Sequence, residues 1–230
     1  MSSPAQPRGR IPNARRPLAW ARLLAGLWLF ALGVVLGLGS GLGVSPWDVL
    51  HDGIRRVTPL SFGAATVLVG LILVVVVLAL GVHVGPGTLL NMVAIGAFAD
   101  ALLASGFASD LAARPLPVRL AAVLAGVGLV ALGSALYIGA GLGAGPRDSL
   151  MLALSARTQL PVGLIRGLLE GSVLGVGWLL GGVVGVGTLL FASGIGPAVQ
   201  LAFRVLRVDL PREPNRRRGR ESACLECCSG

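Results

Sequence analysis

Two stretches of the chain set a carboxylate behind a glycine-rich turn and a proline: G-L-G-V-S-P-W-D at 41–48 and G-L-G-A-G-P-R-D at 141–148. Pro46 and Pro146 suit the first position of a helix, where the missing N–H costs nothing, so Asp48 and Asp148 fall in the first turn. An acid there stabilises the N-terminal dipole, and Ser45-Pro46-Trp47-Asp48 matches a capping box. On that reading both motifs are helix starts, with Gly41, Gly43, Gly141 and Gly143 supplying the break before them. The other reading is a pair of short broken helices that dip into a bilayer. A carboxylate at such a tip could take a proton or coordinate a cation, whereas bare backbone N–H groups could receive an anion. The two roles predict opposite substrate charge.

Arg166 and Glu170 stand four residues apart in an apolar run, on one helix face. A charge inside a membrane costs at least ~2.5–3.5 kcal/mol on insertion scales, so such residues pair or face a cavity. Asn91 and Asp100 share another apolar run, Asn91 as an interhelical hydrogen-bonding group and Asp100 near its outer end. The G-x-G-T turns at 85–88 and 185–188 are expected to open helices at Gly87-Thr88 and Gly187-Thr188 with close backbone approach. His83 reads as a loop residue. Cys224, Cys227 and Cys228 form one tail cluster that lacks a fourth ligand for a closed zinc site, so neither metal nor cofactor is expected.

The elements that must position these residues are membrane helices. Of 230 residues 54% are hydrophobic and 13% charged, against ~45–50% and ~25% in soluble domains. Such a chain cannot cover a water-exposed surface with polar groups. Apolar runs at about 18–40, 62–82, 86–105, 117–140, 162–182 and 184–203 are each long enough to span. The alternative is five spans with one Gly-rich segment re-entrant. The expected organisation is a basic tail at 1–17, a first membrane unit at 18–105, a connection at 106–117, a second unit at 118–205 and an Arg- and Cys-containing tail at 206–230.

All 19 basic residues are Arg, and they concentrate in the tails: Arg8, Arg10, Arg15 and Arg16 at one end, Arg204, Arg207, Arg212, Arg216, Arg217, Arg218 and Arg220 at the other. The net charge of +9 is therefore the positive-inside pattern of a multi-pass protein in a bacterial inner membrane, both termini cytoplasmic. Nucleic acid is not an expected partner, because the tails lack interleaved aromatics.

The two units look alike. Adding 100 to the residue number carries Gly41, Leu42, Gly43, Pro46, Asp48 and Leu50 onto identical residues, then Thr58, Leu60, Gly63, and the run Gly87-Thr88-Leu89-Leu90. From 20 to 104 about a third of positions agree. Units of three spans placed in tandem insert in opposite orientations, which predicts two inverted three-helix repeats, each with a short broken or interfacial helix. W-D-V-L-H-D-G-I-R-R-V at 47–57 is amphipathic and is expected at the interface, anchored by Trp47; 147–158 is more apolar and goes deeper. No enzyme is expected: there is no Lys, no H-E-x-x-H, no P-loop and no G-x-S-x-G with a plausible intramembrane His.

These segments, together with T-Q-L-P-V-G-L-I-R-G-L-L-E-G at 158–171, W-L-L-G-G-V-V-G-V-G-T at 178–188, I-G-P at 195–197 and G-T-L-L-N-M-V-A-I-G-A-F-A-D at 87–100, resemble the YczE/YyaS/YitT group of bacterial multi-pass membrane proteins, most closely its YczE-like branch. The resemblance covers roughly 18–205 and puts Asn91 and Asp100 on matching positions; Phe191 and Gln200 depart from them in the second unit. It implies a plasma-membrane location and a transport-related role. The expectation is a small transporter or permease of unknown small-molecule or ion substrate, alone or as a homodimer in the lipid bilayer. The alternative is a non-transporting scaffold.

Overall fold

A computed structural model describes residues 17–82, 84–142 and 145–206. His83, Gly143, the three cysteines and all the tail arginines except Arg204 lie outside the described residues. The helices are α1 (Pro17–Ser40), α2 (Pro46–Val57), α3 (Phe62–Ala79), α4 (Pro86–Ala104), α5 (Leu116–Gly139), α6 (Pro146–Thr158), α7 (Val162–Leu179) and α8 (Val186–Val205), with one 3-10 turn at Leu111–Ala113. Six of them, α1, α3, α4, α5, α7 and α8, are long and apolar enough to cross a membrane, which favours six spans over five. The protein is an all-α, multi-pass membrane protein.

Helices α3 and α7 end at Ala79 and Leu179, three residues before the ends of their apolar runs. The cause is glycine at Gly81 and Gly181, with φ of 72° and 89°. Each closes a Schellman motif: Val82 N donates to Val77 O at 3.1 Å and Gly182 N to Gly177 O at 2.8 Å.

The centre of the bundle is the crossing of α1 with α5. A Cβ on Gly33 would lie 2.6 Å from Gly126 O, and one on Gly26 2.8 Å from Gly133 O. Rising numbers on one helix meet falling numbers on the other, so the two run antiparallel, held by the backbone proximity that small residues permit between membrane helices. Around this axis α4 packs on α1 and α8 on α5; α2 packs on α7 and α3 on α6. The start of each last helix docks on the broken connection of the other half. Gly87 N donates to Leu142 O at 3.1 Å and Gly187 N to Leu42 O at 2.7 Å, with Thr88 and Thr188 both buried. The α3–α4 and α7–α8 turns therefore lie at opposite ends of the bundle, because the C-terminal ends of α1 and α5 do.

Two helix pairs differ. Helices α3 and α4 pack together, whereas α7 and α8 diverge from their shared turn.

Candidate functional site

Helices α2 and α6 begin inside the bundle. Pro46 and Pro146 occupy their first turns as expected, after N-caps Ser45 and Gly145. Both tips reach one cavity of about 170 Å³, in the wedge between α7 and α8. Four of the six sequence candidates line it: Asp48, Asp148, Arg166 and Glu170. A smaller cavity of about 60 Å³ adjoins it, with Asp48 and Arg147 in its wall and Asn91 beside them.

Asp48 is buried and accepts a hydrogen bond from the Ser45 hydroxyl, while its own N–H donates to Ser45 Oγ at 3.4 Å. The box is thus half formed: the serine hydroxyl bonds the carboxylate. His51 Nδ1 stands 3.7 Å from the other carboxylate oxygen. In the second half Gly145 replaces the serine, and a Cβ there would sit 3.6 Å from Asp148 Oδ2 and 3.9 Å from both Asn91 Oδ1 and Tyr137 Oη. These three polar groups therefore converge on the α6 tip. Arg147 lies over the Phe30 ring, 5.6 Å from its centroid, and Tyr137 meets that ring edge-on at 6.4 Å. Arg166 Nε binds Glu170 Oε1 at 2.8 Å, with the arginine side chain 49% exposed. The wall thus mixes both charge signs with aromatic faces, which suits a small polar or ionic ligand.

Asp100 is elsewhere. It receives hydrogen bonds from the Ser61 hydroxyl and, at 2.7 Å, from Gly63 N, so it caps the start of α3. The expected interfacial placement of α2 also needs correction. Its start lies inside the bundle, with Trp47, Asp48, Val49, His51 and Asp52 buried, and only its end, Arg55, Arg56 and Val57, is exposed. Asp52 binds Arg55 and Arg56 and accepts the Val183 N–H at 3.3 Å, tying α2 to the α7–α8 turn. Burial alone would raise the Asp52 pKa, but the hydrogen bonds and charges of Arg56 and Arg55 outweigh it and hold the carboxyl below its ordinary value.

The sequence reading missed Arg147, Tyr137 and His51. Tyr137 is the only tyrosine and stands where the first unit has Gly37; that asymmetry was the available signal.

The two cavities have unlike walls: α3 and α4 line the smaller one and α7 and α8 the larger one. A Cβ on Gly96 would lie 2.7 Å from Gly63 O, and one on Gly70 would lie 2.9 Å from Met92 Cβ, so α3 and α4 are zipped. At the corresponding Gly163 and Gly196 a Cβ would meet nothing within 4 Å. Only 11% of α7 is buried, against 39% of α3.

The chain is 40% identical over 194 residues to an uncharacterized protein of Haemophilus influenzae, covering 81% of this chain and 85% of that protein. It is 37% identical over 201 residues to the uncharacterized membrane protein YczE of Bacillus subtilis, covering 85% and 86%. No solved structure matches the chain. Residues 17–204 match DUF6198, described as a family of unknown function, and the chain belongs to that family of YczE-like membrane proteins.

Proposed function

We propose that the chain is a small transporter, a carrier and not an enzyme, whose two inverted halves expose one central cavity alternately to the two sides of a bacterial inner membrane. The observation that carries this reading is the unequal state of two corresponding helix pairs. Helices α3 and α4, in the wall of the smaller cavity, pack together at Gly63 and Gly96, while α7 and α8, in the wall of the larger one, stand apart at Gly163 and Gly196. Exchanging these two arrangements closes the present opening and creates one at the opposite end. The Arg-rich tails support cytoplasmic termini, which makes the present opening, at the N-terminal end of α1, the cytoplasmic one. Gly163, Gly167, Gly171 and Gly175 all have open space above them, a surface compatible with a homodimer.

A second reading, a non-transporting scaffold, draws on Asp48, Asp52 and Asp100, whose contacts cap or tie helices and need no substrate. Purified protein in liposomes separates the two. In a flux and ligand-stabilisation screen, Asp148→Asn, Arg166→Gln and Glu170→Gln lose flux at unchanged melting temperature if the chain transports. Folding defects without any flux in the parent protein support the scaffold.

A further inference from the structure

We propose that Asp48 and His51 hold the coupling proton of this carrier. The inference deepens the transport reading, but the proton site itself is testable without a substrate.

Both side chains are buried, each residue 7% exposed, on the first turns of α2. His51 Nδ1 lies 3.7 Å from Asp48 Oδ1 and 3.3 Å from Thr66 Oγ1. The Thr66 hydroxyl donates its hydrogen to Phe62 O at 3.0 Å, so towards the imidazole it acts as an acceptor. That assigns the neutral ring a proton on Nδ1 and leaves Nε2 as the basic atom. His51 forms part of the smaller cavity's wall, and Asp48 lines both cavities. A proton arriving from the cavity binds Nε2, and the resulting imidazolium keeps its Nδ1–H on Thr66 while standing at ion-pair distance from the Asp48 carboxylate.

Charged groups reach this pair from several helices. On α2 itself, Asp52 is committed to Arg55 and Arg56. Helix α3 offers no charged residue, and Arg166 and Glu170 on α7 neutralise each other. Helix α6 contributes Arg147 and Asp148, α5 the Tyr137 hydroxyl, and α4 the uncharged Asn91 and the Asp100 carboxylate, which binds Ser61 and Gly63 on either side of Phe62. Of these groups Asp48 is the carboxylate paired with the imidazole, its Oδ1 3.7 Å from His51 Nδ1.

The site is also placed to report to the gate. His51 packs edge-on against Phe62 of α3, with centroids 5.8 Å apart, beside the glycine at which α3 closes on α4. The corresponding residue of the second half is Met151, so this proton site belongs to one gate only.

The chain has two histidines, so His83→Gln leaves His51 as the sole imidazole. The test is nitrogen-15 histidine NMR of the full-length His83→Gln protein in phosphatidylethanolamine/phosphatidylglycerol nanodiscs, from about pH 5 to about pH 8, where imidazoles change charge. The expected result is a His51 titration whose midpoint shifts downward in Asp48→Asn. A ring that keeps one protonation state across the range overturns the proposal, and so does a midpoint indifferent to Asp48→Asn. If Asp48→Asn does not fold, the parent titration decides alone. An Asp48-dependent titration in a protein whose cavity is reached from one face only would leave the proton site standing and remove the transport reading.

Discussion

A methyl group added at Gly96 should separate α3 from α4, and the same methyl at Gly196 should do nothing of the kind. At Gly96 the new Cβ would lie 2.7 Å from Gly63 O and 3.1 Å from Val67 Cγ2. An ordinary carbon–oxygen approach is about 3.3 Å, so the helices must part by about 0.6 Å against a backbone atom that cannot swing aside. Overpacking of this kind costs about 1–3 kcal/mol, while alanine's better helix propensity returns up to about 1 kcal/mol. At Gly196 there is nothing within 4 Å, so only the propensity gain remains. The difference between Gly96→Ala and Gly196→Ala is then the clash itself, about 1–3 kcal/mol, a factor of roughly 5 to 150 in an equilibrium. Unfolding in detergent micelles, followed by tryptophan fluorescence, measures it. Equal stability of the two variants, or a more stable Gly96→Ala, would refute the closed α3–α4 contact.

Two further outcomes follow from the charged residues. Asp52→Asn weakens the tie between α2 and the α7–α8 turn and should cost about 1–2 kcal/mol, discounted for two partly exposed arginines. Because the folded Asp52 carboxyl titrates below its ordinary value, its contribution is full above about pH 4 and is lost as pH falls further, so parent and Asp52→Asn melting curves should converge in acid. Asp100→Ala removes the cap on α3 and should cost about 1 kcal/mol of stability while leaving ligand stabilisation at the cavity intact; loss of binding would place Asp100 in the site.

The spans were legible because each buries an apolar run of membrane length, and the starts of α2 and α6 because proline tolerates only a few helical positions. Legibility stopped where distant contacts decide. The alternation of Trp47, Asp48, His51 and Asp52 with apolar residues reads as a helix lying on a membrane surface. Asp48 and His51 instead face a polar cavity and Asp52 the α7–α8 turn, while Arg55 and Arg56 stay exposed, and the period is the same in both cases. Asp100 looked like a span-end carboxylate because its partners, Ser61 and Gly63, lie in another helix. Tyr137 and Arg147 gain their roles from Phe30, which only the α1–α5 crossing brings to them. The splayed α7 and α8 left no local trace at all, since Gly163 and Gly196 repeat the residues that zip α3 to α4.

Labelling of Ser134→Cys, a position in the cavity wall, bears most directly on alternate access. In a background with Cys224, Cys227 and Cys228 replaced by Ser, a membrane-impermeant thiol reagent is applied to one face or the other of oriented vesicles. The account predicts labelling from the face at the N-terminal end of α1 in the parent protein, and a shift towards the opposite face when Gly96→Ala loosens α3 from α4. Labelling confined to one face in both proteins would contradict it.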